Sequence, residues 1–288
     1  MSYSELKSSS SNSSLPLPPT NPVLDQRNYE KEKARIEKAI SIQQEQIVQA
    51  SHALSFCHQT QEFRGSREEV DAQRALLIAT ESRRALILAL DHLIQDRSRG
   101  IRKPLDSPRG TLIINNISVK LLRDFINGHI NNNSQLYYFI ILIRHGETIR
   151  NTILLTSDYG LKNGRLEFPH YIQLNSLPHD FICTFEIYAL RTRREVLGHY
   201  EKYHIKNSGS TKKKPSVLSS TASSPAGSSV IDPSFQRVGY LTLSLESVKR
   251  DKFRLNEALF PLDGLIEMHL HCYAEGTNAV GYRGFLII

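Results

Sequence analysis

The sequence predicts an α+β chain, with an antiparallel helical hairpin followed by an antiparallel β-sandwich. Apolar residues before residue 100 recur with the four-three spacing of a heptad. Beyond residue 110 the period becomes two, and clusters of Asn, Gly, Ser and Pro separate the runs. At 288 residues and 40% hydrophobic, the chain can build two cores of ordinary composition.

Residues 1–25 are rich in Ser, Pro and Asn and read as a disordered tail. The hairpin is expected over 26–100. Its first helix carries Ile36, Ile40, Ile47, Ala50, Leu54 and Cys57, a seam broken at Gln43. The second carries one stripe at Ala72, Leu76, Ala79, Leu86, Leu90 and Leu93, and another at Val70, Leu77, Ile87 and Ile94. Between them, Ser66-Arg67-Glu68-Glu69 has the form of a capping box. No metal-ligand or nucleophile pattern runs along the hairpin. One seam buried and one face free predicts a docking surface, which points to binding and away from catalysis.

The sandwich is expected over 108–275, with strands near 111–119, 136–143, 165–173, 180–190, 238–245 and 264–272. Several alternate strictly, as in Leu241-Thr242-Leu243-Ser244-Leu245. Short strands at this spacing suit an antiparallel sandwich. Residues 207–233 lack either period and predict a disordered basic insertion between two strands.

Charge gathers at that insertion. Arg191, Arg193, Arg194, Lys202, Lys206, Lys212, Lys213 and Lys214 face only Glu195 and Glu201, in a chain of net charge +7. A basic loop of this kind suits anionic lipid headgroups, at roughly 1 kcal/mol per cation near the surface. Nucleic acid is not expected, because only Tyr200 and Tyr203 offer stacking surfaces nearby. Lys212-Lys213-Lys214-Pro215 also suits a nuclear import receptor. Three dispersed cysteines fit neither a disulfide set nor a zinc site, so a reduced cytoplasmic protein without cofactor is expected. The longest apolar run, 136–143, is too short to span a bilayer.

Several segments carry a family resemblance. Ile47-Val48-Gln49-Ala50-Ser51-His52-Ala53-Leu54, Gly65-Ser66-Arg67-Glu68-Glu69 and Leu76-Leu77-Ile78-Ala79-Thr80 resemble the helical part of the anillin homology region. Arg109-Gly110-Thr111-Leu112-Ile113-Ile114, Tyr137-Tyr138-Phe139-Ile140 and Val238-Gly239-Tyr240-Leu241 continue the likeness in matching order. The resemblance implies a Rho-binding hairpin, an atypical C2-like sandwich and a following pleckstrin-homology domain. Residues 281–288 resemble the start of that last domain, cut within an apolar run, so a fragment of a longer chain is expected.

The same resemblance implies a scaffold of the contractile ring at the cell cortex and cleavage furrow. It would tie the GTP form of a Rho GTPase to septins and phosphoinositide membrane. It places Rho contacts at Ala50 and Glu68, with Arg74 adding charge. Read without it, Ala50 continues the heptad seam, Glu68 favours the positive end of its helix and Arg74 is a solvated helix residue. A rhotekin-like Rho effector outside cytokinesis shares the arrangement and is the alternative. Membrane contacts fall to Arg191, Arg193, Arg194, Lys212, Lys213 and Lys214.

One motif argues for an enzyme. Arg144-His145-Gly146-Glu147-Thr148-Ile149-Arg150-Asn151 resembles the RHGExxxN signature of histidine phosphatases. That chemistry needs a second His and Arg and a proton donor, and no later motif supplies them. His269 and His271 share a strand face without a third ligand placed by spacing. Calcium is not expected either, since Asp124, Asp158, Asp180, Asp232, Asp251 and Asp263 form no Asp-x-Asp pair.

Overall fold

Ser66 stops one helix from running into the next. Its backbone is extended and its hydroxyl accepts the Glu69 amide at 3.2 Å, while the Glu69 carboxylate reaches back to the Gly65 amide at 2.5 Å. The second bond lands one residue earlier than in the reciprocal box the sequence suggests. It thereby ties down Gly65, whose φ of +75° is natural to glycine. In the computed structural model, which describes residues 22–60, 63–100, 109–131, 135–193 and 231–274, this turn joins α1 (Pro22–Gln59) to α2 (Arg67–Ser98). Ile47, Ala50 and Leu54 close the seam against Leu76 and Ala79.

The sandwich contains β1 (Arg109–Leu121), α3 (Arg123–Asn131), β2 (Gln135–His145), β3 (Thr148–Asn151), β4 (Leu155–Thr156) and α4 (Ser157–Gly160). It continues through β5 (Arg165–Phe168), β6 (Ile172–Pro178), β7 (Cys183–Arg193), β8 (Gln236–Leu243), a 3-10 helix (Leu245–Lys249), β9 (Lys252–Arg254) and β10 (Leu262–Ala274). One antiparallel sheet runs β5-β1-β10-β9, with β6 sharing the β1 edge; the other runs β3-β2-β7-β8, with β4 on β2. Phe139, Phe168 and Phe185 lie fully buried between the sheets.

The α+β class and the antiparallel sandwich stand as the sequence predicts, with local differences. The 165–173 run is two strands, interrupted from Pro169 to Tyr171, where proline cannot donate to the ladder. The 238–245 run ends at Leu243, where Ser244 caps the 3-10 helix. Helix α3 has no counterpart in the sequence reading; Phe125 anchors it edge-on to Tyr137 at 5.1 Å.

The largest difference concerns the face of the hairpin read as free. The first half of the second stripe of α2 packs on the outer face of the β2–β7 sheet, where Val70 and Leu77 meet Tyr138, Ile140, Leu142, Tyr188 and Leu190, while Ile94 farther along stays exposed. That sheet is therefore covered on both faces. Phe139, Ile141 and Ile143 point into the sandwich, and their neighbours point to the hairpin.

Candidate functional site

Two features of this joint bear on function: how the hairpin is held, and which end of the sandwich its turn reaches. The holding is electrostatic as well as apolar. Arg144 leaves the end of β2 and places Nη2 2.6 Å from Glu186 Oε2 on β7 and 3.3 Å from Glu81 Oε2 on α2. Glu186 also accepts from Arg237 on β8 at 3.4 Å and from the Tyr188 hydroxyl at 3.4 Å. Burial, then the Glu186 and Glu81 carboxylates, push the Tyr188 hydroxyl well above its usual range, so it remains a donor. A charged group this deep persists only when paired, which explains the shared carboxylates.

Burial also holds the Glu81 carboxyl above its ordinary value, outweighing Arg144 and Arg84, which favour its charge. A raised acid pKa means that the folded state binds this proton more readily than the unfolded chain. The resulting stabilisation is full below the unfolded value and is lost as pH rises through the folded one. Glu81→Gln keeps the shape and removes the charge. Its stability at about pH 7 should equal or exceed that of the parent, and its Tm should vary less between roughly pH 4 and 7. Thermal unfolding across that range checks this; a clear loss at neutral pH would contradict it.

Of the rest of the phosphatase-like motif, Glu147 serves the same joint, while His145 and Gly146 are held within the sandwich. His145 Nδ1 donates to the Ile182 carbonyl at 3.1 Å, Gly146 takes a φ of +55° in the turn, and Glu147 pairs with Arg35 of α1 at 2.7 Å. Arg144 and Glu147 thus fasten both helices to the sandwich. The thiols are not poised as nucleophiles: burial raises Cys57 and Cys272 and pushes Cys183 up to about 12. His269 Nδ1 accepts from Asn116 at 3.1 Å, and among the described residues no three His, Cys, Asp or Glu side chains gather as metal ligands.

At the other end of β7 the hairpin turn meets the start of the basic segment. A Cβ on Gly65 would lie 3.5 Å from the Arg193 carbonyl. Arg191 and Arg193 are exposed there, following the parity of Phe185, Ile187 and Ala189 beyond the core. Arg194, Lys212, Lys213 and Lys214 lie outside the described residues, as do residues 281–288. Where the chain resumes, Ile231 packs into the hairpin seam, although the sequence reading assigned it to the insertion. Gln73 then clasps Ser234 twice, donating to its hydroxyl at 2.9 Å and accepting its amide at 2.8 Å.

Of the residues expected to meet a GTPase, Glu68 is half-buried in the first turn of α2, and Ala50 is 6% exposed inside the seam. Ala50 can therefore act on a partner chiefly through the close helix spacing that it permits. Arg74 is half-buried, with Nε enclosed and unpaired among the described residues. Sequence reasoning missed Phe56, 59% exposed and 5.6 Å from the Phe63 ring at the turn. Its position between seam residues Leu54 and Cys57 was the available signal. It also missed Glu186, signalled only by a carboxylate within an apolar strand.

The geometry defines a helical hairpin clamped to an antiparallel β-sandwich. Residues 108–249 match the family model described as cell division protein anillin. The chain is 32% identical over 270 residues to anillin-like protein 1 of Caenorhabditis elegans, covering 88% of this chain and 23% of that protein. It is 33% identical over 257 residues to anillin of Drosophila melanogaster (85% and 20%) and 32% over 284 residues to anillin of Mus musculus (91% and 25%). The chain belongs to the anillin family. It spans a quarter or less of the length of these relatives. No helix among the described residues is long and apolar enough to cross a membrane.

Proposed function

We propose that this chain is the part of a cytokinetic scaffold that binds the GTP form of a Rho GTPase through its hairpin and acidic phosphoinositide membrane through its basic end. The observation that carries this reading is the approach of the Gly65 turn to Arg193. It puts Glu68, one helical turn away, at the same end of the molecule as Arg191 and Arg193. A GTPase anchored in a membrane and the membrane itself would then be met from one side. Two weak contacts made together reinforce each other by raising effective concentration. Work at the cortex and furrow, with septins as further partners, fits this scaffold role, and Lys212-Lys213-Lys214 would serve nuclear import between divisions.

The test uses the whole chain, because the isolated hairpin would expose Val70 and Leu77. Binding to Rho loaded with a GTP analogue should exceed binding to the GDP form, and Glu68→Lys should reduce it by about tenfold or more. Arg191→Glu with Arg193→Glu should weaken binding to acidic vesicles and leave GTPase binding in solution unchanged. Rising salt should weaken the vesicle contact. Equal binding of both nucleotide forms would refute the GTPase assignment.

A further inference from the structure

Strands β8 and β9 belong to different sheets. They meet where Tyr240 and Asn256 exchange both main-chain hydrogen bonds, at 3.1 and 2.7 Å. On one side of that pair the loop after β9 stays attached, with the Leu259 amide on the Val238 carbonyl at 2.9 Å. On the other side the strands part, and the chain crosses between them through the 3-10 helix. The gap is a cavity of about 500 Å³, bordered by Thr242, Ser247, Arg250, Lys252 and Arg254.

Strand parity decides which main-chain groups face this gap. Asp251 accepts the Met268 amide of β10 at 2.9 Å, and Leu255 donates to the Gly264 carbonyl at 2.8 Å. Alternate residues of an antiparallel strand turn their amides and carbonyls to opposite sides. Lys252 and Arg254 therefore turn theirs away from β10, as Asn256 does. Thr242, two residues beyond Tyr240, likewise turns its amide and carbonyl away from β7. Among the described residues no main-chain hydrogen bond spans the gap beyond Asn256, so these groups form an open sheet edge.

The edge is also basic. Arg250, Lys252 and Arg254 are exposed and alternate along one extended segment, at intervals of about 7 Å. Neither Arg250 nor Arg254 pairs with a described carboxylate, and Lys252 shares one Glu267 oxygen, at 3.6 Å, with Arg165 at 3.2 Å. Cationic side chains keep like edges apart. The same row attracts a strand whose carboxylates fall opposite the cations.

We propose that β9 takes an added strand from a partner protein, an extended acidic segment with carboxylates at alternate residues, paired antiparallel. The open carbonyls favour this occupant over a small polyanion. Ionised phosphate oxygens can accept from the Lys252 and Arg254 amides but cannot donate to their carbonyls, whereas a peptide main chain satisfies both. Antiparallel pairing continues the pattern of the whole sheet. It sets each acidic residue opposite a cation and aims that residue's own amide at β9. The site is separate from the basic end of β7: Thr242 pairs with Thr184, seven residues before Arg191 and so roughly 23 Å away along the strand.

Fluorescence anisotropy of the full chain with a short fluorescein-labelled peptide of alternating glutamate and threonine tests the proposal. Saturable binding is expected, weakened roughly tenfold or more in Arg250→Ala with Arg254→Ala. N-methylation of the glutamate amides leaves the charge intact and should abolish binding. N-methylation of the threonine amides, which face away from β9, should preserve it. Lys31→Ala with Lys38→Ala, at exposed positions on α1, should change nothing. No saturable binding, unchanged affinity in the Arg250 and Arg254 variant, or an equal loss in the Lys31 and Lys38 variant would overturn the proposal. Equal behaviour of the two N-methylated peptides would overturn it as well: retention by both marks a site for negative charge of any source, and loss in both excludes this register.

Discussion

Arg144→Ala should destabilise the folded chain by about 3–5 kcal/mol, the usual consequence of removing one partner from a buried ionic cluster. Arg144 stands between Glu81 and Glu186, whose side chains are 12% and 6% exposed. Without it, two carboxylates face each other at the joint, with Arg237 left to neutralise Glu186 and Arg84 left near Glu81. For a chain of this size the loss corresponds to a fall of roughly 10 °C in Tm. Adding Glu81→Gln should restore part of it, because one of the stranded charges is then gone. Thermal unfolding of the single and double variants checks both statements. An unchanged Tm in Arg144→Ala would show that the cluster does not hold the hairpin.

Leu77→Asp should have an effect of similar size and a different character. Leu77 is 2% exposed and packs with Val70 on the outer face of the β2–β7 sheet. Truncating a buried leucine alone costs about 2–5 kcal/mol, and enclosing an unpaired carboxylate adds to that. The chain can relieve the charge by lifting α2 from the sheet while the sandwich core, centred on Phe139 and Phe185, stays closed. Hydrogen exchange should therefore accelerate in α2, where its amides lose the cover of the sheet, and remain slow in β1 and β10. Uniform acceleration throughout would show that hairpin and sandwich unfold as one unit. Ala75→Asp, at an exposed position on the same helix, should change little.

These two substitutions lie where the sequence was hardest to read. The heptad of α1 and the cap at Ser66 are local patterns, and both helices formed where those patterns lay. The strands near 183–189 and 241–243 were also legible from their alternation, although in β7 the second face meets the hairpin and not solvent. The run 136–143 carried a further message: apolar residues at consecutive positions imply a sheet covered on both faces. Its period could not say what covers the second face. Helix α3 was obscured because its apolar face is short, and its place depends on Tyr137 and Phe260, distant in sequence.

The candidate sites divide in the same way. Arg191 and Arg193 were legible as basic residues, but their approach to the hairpin turn depends on how α2 lies across the sheet. Glu68 was marked by resemblance, and Phe56 only by its place between the seam residues Leu54 and Cys57. The Arg144-His145-Gly146-Glu147 string resembled a catalytic signature because residue types alone do not report their partners. Glu81, Glu186 and Arg35 give it a structural role.

By itself, then, the sequence determined the two kinds of secondary structure, their order, the heptad seam and the concentration of positive charge. Each follows from residues near one another in the chain, through helix and strand periods and local capping. Only the tertiary structure decided that Val70 and Leu77 of α2 cover the sandwich and that Arg144 bridges three elements. Those arrangements depend on pairings between residues tens to more than a hundred positions apart, which packing selects and no local period encodes.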